Sequence, residues 1–238
     1  MPSSENGAGI RKPRASRRRP DLPPPKVERL RPRSGMSRSE VVADQRRRVL
    51  AGLAAALAYH GYEDTKITDI VELSGVSRPT FYELFEGKEQ CFAAAYADGV
   101  ERLSAAVETA ARAERGRVPR LSAGLRAGLE FLAADPPLAH LLLVESLAAS
   151  RPARLEHERS LGRLAQALCP ADAGLPGAPA EETGRLLAGA LASHLSGRVL
   201  AGEAKRLAES QEVLLQYLLV ALPAVTSPGL SEQRAAHG

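Results

Sequence analysis

The sequence predicts an all-α protein with a small N-terminal domain of three helices and a larger C-terminal helical domain. Ala and Leu dominate a composition that has 4% aromatic residues and no Trp, which favours helices around an aliphatic core. Apolar residues recur at spacings of three and four, and no alternating strand pattern competes with them. A length of 238 residues suits one or two domains with a sizeable core.

The first 38 residues differ from the rest of the chain in charge and composition. Residues 1–38 have a formal net charge of +8 and hold 7 of the 17 prolines, whereas residues 39–98 have a net charge of −4 and residues 99–238 are neutral. Such a segment cannot bury enough apolar surface to offset the entropy lost on ordering, so we predict a disordered basic arm. The arm either neutralises DNA phosphates or is a solvated tail, and both interpretations stay open.

The first two helices are separated by a short segment that contains glycine. The first helix spans residues 39–60, where valine and leucine recur at helical spacing, and Gly61 ends it. The second spans residues 65–74, with Thr65 as its N-cap and Gly75 as its C-terminal stop.

The third helix follows at once, from residue 77 to about residue 85. Ser77 is expected to be its N-cap. Because Pro79 has no N–H, the Ser77 oxygen has to accept a hydrogen bond from the amide of Thr80. Two short helices joined by a turn of three to four residues containing glycine are typical of a helix-turn-helix, whose second helix can lie in the major groove of DNA.

The middle of the chain is predicted to be helical with several interruptions. A fourth helix spans residues 88–112 and precedes a loop marked by Gly116 and Pro119. Residues 120–168 form three amphipathic pieces, which are broken near Asp135 and again near Pro152.

The last part of the chain closes the fold with two strongly amphipathic helices. Residues 169–180 are a loop rich in proline and glycine, and the two helices span residues 180–200 and 203–222. Residues 223–238 are predicted to be a flexible tail.

Three short segments carry a family resemblance. They read GYEDTKITDI at residues 61–70, SGVSRPTFYELF at residues 74–85 and GKE at residues 87–89. In order and spacing they resemble the N-terminal domain of the TetR family of transcriptional regulators, over roughly residues 42–96. The resemblance implies a DNA-binding domain at residues 39–87 and a ligand-binding and dimerisation domain at residues 88–222.

The resemblance also implies roles for individual side chains in binding double-stranded DNA. Thr65, Tyr82 and Lys88 match positions that contact phosphates, and a helix N-terminus suits an anion near Thr65. Arg78 and Thr80 lie in the exposed first turn of the third helix, from which side chains reach base edges or phosphates. Tyr82 could instead pack on the surface, and Arg78 could be a solvated charge. The implied DNA-binding residues are Thr65, Lys66, Ser77, Arg78, Pro79, Thr80, Tyr82 and Lys88; Pro79 stands where the family often has Gly.

The remaining helices are expected to form a homodimer and to enclose an effector. The two closing helices resemble the family's dimerising pair, although they could simply pack into the monomer core. A helix-turn-helix dimer doubles its specificity on a pseudo-palindromic operator. The effector is expected to act on the DNA-binding domain through the long fourth helix that begins at Lys88. The polar candidates for a small-molecule effector site are Arg126, His140, Glu145, His157 and His194, each of which could equally be a surface or a core residue.

The resemblance implies a sequence-specific regulator, which in this family is usually a repressor that an effector releases from its operator. Two other classes of function compete with this interpretation. An enzyme is disfavoured, because the zinc signature that starts at His157 has Leu161 where a second His is needed, and no nucleotide-binding loop occurs. A nonspecific architectural DNA-binding protein is the alternative that the basic arm favours. We expect no metal and no organic cofactor.

The sequence also indicates where the protein works. Its two cysteines, Cys91 and Cys169, are far apart and suit no disulfide framework, and no apolar stretch approaches the roughly 18 residues of a membrane span. We therefore expect a cytoplasmic protein without a membrane partner.

Overall fold

The computed structural model describes residues 37–147 and 180–221, together with the single positions 159 and 162. Every regular element in these ranges is a helix, which confirms the prediction of an all-α fold. Four predicted features lie outside the described residues: the arm up to residue 36, the loop at residues 169–179, the tail at residues 223–238 and the candidate His157.

The first helix, α1, spans Arg38–His60. Its N-terminus is held by a reciprocal pair of hydrogen bonds, in which Ser37 Oγ accepts from the Glu40 amide and the Glu40 carboxylate accepts from the Ser37 amide. It ends at Gly61, whose φ of 78° suits glycine. The helix therefore begins one residue before the predicted boundary and ends as predicted.

The second helix, α2, spans Ile67–Ser74, and the prediction of Thr65 as its N-cap is wrong. Thr65 is buried and its hydroxyl donates to the Gly61 carbonyl oxygen at 2.7 Å. Lys66 is the N-cap residue instead, and the carboxylate of Asp69 accepts from its amide at 2.8 Å.

The third helix, α3, spans Arg78–Leu84, and its capping is confirmed. Ser77 Oγ accepts from the Thr80 amide at 3.2 Å. The absence of an N–H at Pro79 costs no hydrogen bond in this first turn.

The following helices form the body of the molecule. They are α4 (Lys88–Ala113), α5 (Arg117–Ala134) and α6 (Pro136–Leu143), followed by a short 3₁₀ turn (Glu145–Leu147). The expected break at Asp135 is confirmed, because its carboxylate accepts from the Leu138 amide and caps α6. Pro119 lies in the first turn of α5 rather than in a loop, since Pro is tolerated where amides lack a helical partner.

The closing pair begins with α7, which spans Ala180–Leu200 as predicted. The predicted helix at residues 203–222 is instead a 3₁₀ segment, Ala204–Ser210, followed by α8, Gln211–Ala221. The guanidinium of Arg198 in α7 donates to the Arg206 carbonyl at 3.0 Å and to the Ser210 hydroxyl at 2.6 Å. These bonds hold the first half and the C-terminal end of the tighter segment against α7.

One continuous cluster of buried side chains joins the three-helix domain to the body. Its largest fully buried members include Leu53, Phe81, Phe92 and Leu129. Helix α1 packs against α2 on one side and against α4 and α6 on the other. Cys91 lies in the same cluster, and burial raises the pKa of its thiol to about 12. Within the described ranges, no helix is both long enough and apolar enough to cross a membrane.

Gly52 lets α1 and α2 approach closely. A Cβ atom at this position would lie 2.8 Å from Ser74 Cβ and 2.9 Å from the Ile70 carbonyl oxygen. We expect Gly52→Ala to lower the free energy of unfolding by about 1–3 kcal/mol, as overpacking does. Gly197→Ala in α7 is the control, because an added Cβ there meets no atom within 4 Å and helix propensity should stabilise it by about 0.5–1 kcal/mol. Urea unfolding measures both, and an equal effect of the two substitutions would contradict this assignment.

Candidate nucleic-acid interface

Helix α3 has a buried face and an exposed face. Phe81 and Phe85 are buried in the core and fix the helix to the rest of the domain. Arg78 and Pro79 are exposed, and Tyr82 keeps 48% of its surface accessible. A Phe packed in the core stabilises such a short helix by about 1.5–3 kcal/mol. The exposed face is thus presented by a firmly packed element.

The side chains on the exposed face are partly ordered by their neighbours. The guanidinium of Arg78 lies 5.8 Å from the centre of the Tyr82 ring, within the range of a cation–π contact. The Ser77 and Thr80 hydroxyls lie 2.8 Å apart. A tyrosine hydroxyl and an arginine on one face suit contacts with phosphate oxygens and base edges.

Positive charge near α3 comes from few residues. Lys66 is exposed at the start of α2, and Arg46 is an exposed residue of α1 whose guanidinium lies 4.9 Å from the centre of the Phe85 ring. The next two arginines of α1, Arg47 and Arg48, both pair with Asp44. Sequence reasoning did not single out Arg46, because three consecutive arginines gave no sign of which one would lie beside α3.

Lys88 and Thr65, two of the predicted phosphate ligands, form hydrogen bonds within the protein. Lys88 Nζ donates to the Tyr62 carbonyl at 2.6 Å and to the Thr65 carbonyl at 3.0 Å, and it lies 4.4 Å from the centre of the Tyr62 ring. The Thr65 hydroxyl is buried and bonded to Gly61. The Thr65 hydroxyl thus already donates its hydrogen within the domain, and Lys88 keeps at most one of its three N–H donors for another partner.

The four described effector candidates do not converge on one site. Arg126 in α5 and His194 in α7 are exposed. His140 and Glu145 are buried together, with 3.6 Å between His140 Nδ1 and Glu145 Oε1. Glu145 Oε2 accepts from the Tyr62 amide at 2.9 Å. Burial raises the pKa of the Glu145 carboxyl above its ordinary value, and the bond from the Tyr62 amide opposes this only in part.

A cleft lies where α1 meets α4 and the start of α6. It holds about 210 Å³, and its floor is mostly alanine and leucine, including Ala54, Ala95 and Leu138. Arg47 and Arg102 lie at its edge. None of the four described effector candidates lines it.

Comparison with known proteins places this geometry in a family. Residues 49–95 match the sequence profile of the bacterial regulatory proteins of the tetR family. These residues cover the second half of α1, all of α2 and α3 and the first two turns of α4. The chain carries a tetR-family helix-turn-helix domain. The resemblance seen in the sequence is thereby confirmed for this domain.

One curated protein and several solved structures are also similar to this chain. The chain is 32% identical over 66 residues to the HTH-type transcriptional regulator YdgC of Bacillus subtilis (strain 168). This match covers 28% of this chain and 34% of YdgC, so the chain spans about a third of that relative. The fatty acid degradation regulator FadR from Bacillus halodurans has a TM-score of 0.66 at 18% identity, covering 74% of this chain and 94% of that one. FadR from Bacillus subtilis, solved in complex with stearoyl-CoA, has a TM-score of 0.63 at 15% identity, covering 74% and 99%. The structural likeness shows a shared fold, and all three relatives are regulators rather than enzymes.

The buried carboxyl of Glu145 predicts a pH dependence of stability. Because its pKa is raised in the folded chain, the folded state keeps this proton to higher pH than the unfolded chain does. The ordinary pKa of glutamate is 4.5. As the pH rises from this value through the raised pKa of Glu145, the free energy of unfolding of the wild type should fall relative to that of Glu145→Gln. Urea unfolding between about pH 4 and 8 measures the difference. Glu130→Gln, at an exposed position of α5, is the control, and a difference that is flat with pH at position 145 would refute the prediction.

Proposed function

We propose that this chain is a sequence-specific DNA-binding transcriptional regulator that acts in the cytoplasm as a homodimer. In this proposal residues 39–87 bind DNA, and residues 88–222 bind an effector and dimerise. The observation that carries the proposal is the exposed face of α3, which is capped by Ser77 and anchored by Phe81. It belongs to the domain that matches the tetR family.

The exposed face of α3 has the chemistry needed to read a major groove. Arg78 can donate two hydrogen bonds to guanine, and the Thr80 hydroxyl can contact a base or a phosphate. We propose that Tyr82, Lys66 and Arg46 contact the phosphate backbone, because all three are exposed and Arg46 lies over the ring of Phe85 at the end of α3. We infer a weaker contribution from Lys88, whose amine also holds the Tyr62 carbonyl.

The surface of the closing helices supports a dimer. Large apolar side chains are exposed on α7 and α8, among them Leu186 at 71%, Tyr217 at 71% and Val220 at 82%. Tyr217 and Val220 are three residues apart on one face of α8, and exposed large apolar side chains that share a face mark a protein interface. A twofold pair would bury it and present two copies of α3 to a pseudo-palindromic operator.

An effector can bind one spacing of the two α3 helices more tightly than another. The resulting change in the dimer's affinity for DNA equals the difference between the effector's affinities for those two spacings. We propose that the chain is a repressor released in this way, with a small molecule bound in the body. FadR of Bacillus subtilis, which shares the fold, was solved with stearoyl-CoA. Acyl-CoA thioesters are therefore the first compounds to screen by thermal shift.

A nonspecific architectural role is the second candidate, and the +8 net charge of residues 1–38 favours it. Counterion release alone would give binding without sequence preference. Competition between random DNA and an operator chosen by selection decides between the two functions.

The first prediction concerns specificity. Selection from random DNA should yield a pseudo-palindrome that is bound at least about a thousandfold more tightly than random DNA at roughly 0.15 M salt. Arg78→Ala should relax preference at one position of each half-site at a cost of about 1–3 kcal/mol. Arg126→Ala, at an exposed position of the body, is the matched control and should bind like the wild type. A ratio near one would support the architectural function.

The second prediction concerns assembly. Val220→Asp places a charge in the proposed interface and should shift the protein from dimer to monomer in analytical ultracentrifugation. Val118→Asp in α5 is the control, because Val118 is also exposed, at 47%, but lies outside the closing helices. Two variants that remain equally dimeric would exclude this surface as the interface.

A further inference from the structure

Two charged side chains of the body hold the turn between α1 and α2 from opposite directions. We call residues 61–66 the α1–α2 turn. The amide of Tyr62 donates to Glu145 Oε2 at 2.9 Å, and the carbonyl of the same residue accepts from Lys88 Nζ at 2.6 Å. Lys88 opens α4, and Glu145 directly follows α6 and Val144. Both polar backbone atoms of one turn residue are thus bonded to the body.

The bond to Glu145 lies in a buried environment. Glu145 has only 7% of its surface exposed, and His140, which faces its other oxygen at 3.6 Å, is equally buried. A Cβ atom added to Gly61 would lie 3.9 Å from Glu145 Oε1, so the carboxylate sits directly against the turn. A hydrogen bond to a charged acceptor is short, directional and strengthened where water is excluded.

Directional bonding matters because the packing of α1 against the helices of the body is apolar. Helix α1 packs against α4 and α6 through residues such as Leu53, Ala54 and Leu138. Apolar packing favours burial but specifies no direction, so two packed helices can slide over small distances. The bond between Tyr62 and Glu145 fixes the position of the turn along that packed surface.

We propose that Glu145 is a positioning residue that sets the orientation of the helix-turn-helix domain on the body, and with it the spacing of the two α3 helices in the dimer. A displacement of α6 would reach the α1–α2 turn through this carboxylate, by a route separate from α4. The inference rests on the proposed function, because spacing matters only to a dimer on a palindrome.

The test compares a complete operator with a single half-site. The operator comes from the selection described above, together with versions in which one base pair is added or removed between the half-sites. Glu145→Ala should weaken binding to the complete operator by about tenfold or more, as expected when a hydrogen bond to a charged group is lost. Affinity for the half-site should stay within about twofold, and the preference among the three spacings should flatten.

Two further variants separate positioning from folding. Glu145→Gln keeps the length of the side chain and an acceptor oxygen, so it should restore most of the affinity and the spacing preference. Glu145→Asp keeps the charge but is one methylene shorter, so it should shift or weaken the spacing preference even if Glu145→Ala does not fold. Glu130→Ala, at an exposed position of α5, is the control. Amide exchange at Tyr62 should accelerate in Glu145→Ala and remain slow in the control.

Three results would overturn the proposal. An equal loss on the operator and the half-site would show a merely structural role. If Glu145→Ala and Glu145→Asp both bind DNA like the wild type, the bond has no role in DNA recognition. If Glu145→Ala does not fold, an unchanged spacing preference in Glu145→Asp would show the same. A selection that yields no operator would instead contradict the proposed function, while the amide exchange of Tyr62 would still report whether the bond exists.

Discussion

The exposed face of α3 depends on the burial of Phe81 and Phe85 in the shared core. A helix of seven residues, such as Arg78–Leu84, is too short to be stable by itself in water. It persists because its apolar side is packed and its N-terminus is capped by Ser77. The same packing leaves Arg78 and Tyr82 on the opposite side, so one short helix supplies both core side chains and the face that we propose contacts DNA.

Helix α1 connects that element to the rest of the molecule. It packs on α2 through Gly52 and on α4 and α6 through its buried leucines. Because one cluster of buried side chains includes both Phe81 and Leu129, the helix-turn-helix domain and the body are not independent units. The polar bonds of Lys88 and Glu145 to the α1–α2 turn add direction to this apolar attachment.

Sequence reasoning predicted the elements whose signals are local. Ser77 predicted the N-cap of α3, Pro79 predicted that the Thr80 amide donates to it, and Gly61 marked the end of α1. The start of α2 was missed because Thr65 is a good N-cap by propensity, yet the fold draws its hydroxyl to the Gly61 carbonyl. Contacts between distant elements were also missed. Arg198 in α7 holds the 3₁₀ segment in place through a hydrogen bond to Ser210. Glu145 lies 83 residues from Tyr62 along the chain. Neither contact produces a periodic pattern of residue types in a short stretch of sequence.

In the proposed complex, the exposed face of α3 enters the major groove of DNA. Photo-cross-linking from position 82, with a photoreactive phenylalanine analogue in place of Tyr82, tests this most directly. Cross-links to the selected operator should map to two sites separated by about 10 base pairs or a multiple of one helical turn. The same analogue at exposed position 126 in the body should give none. Cross-links from position 126 with none from position 82 would contradict the account.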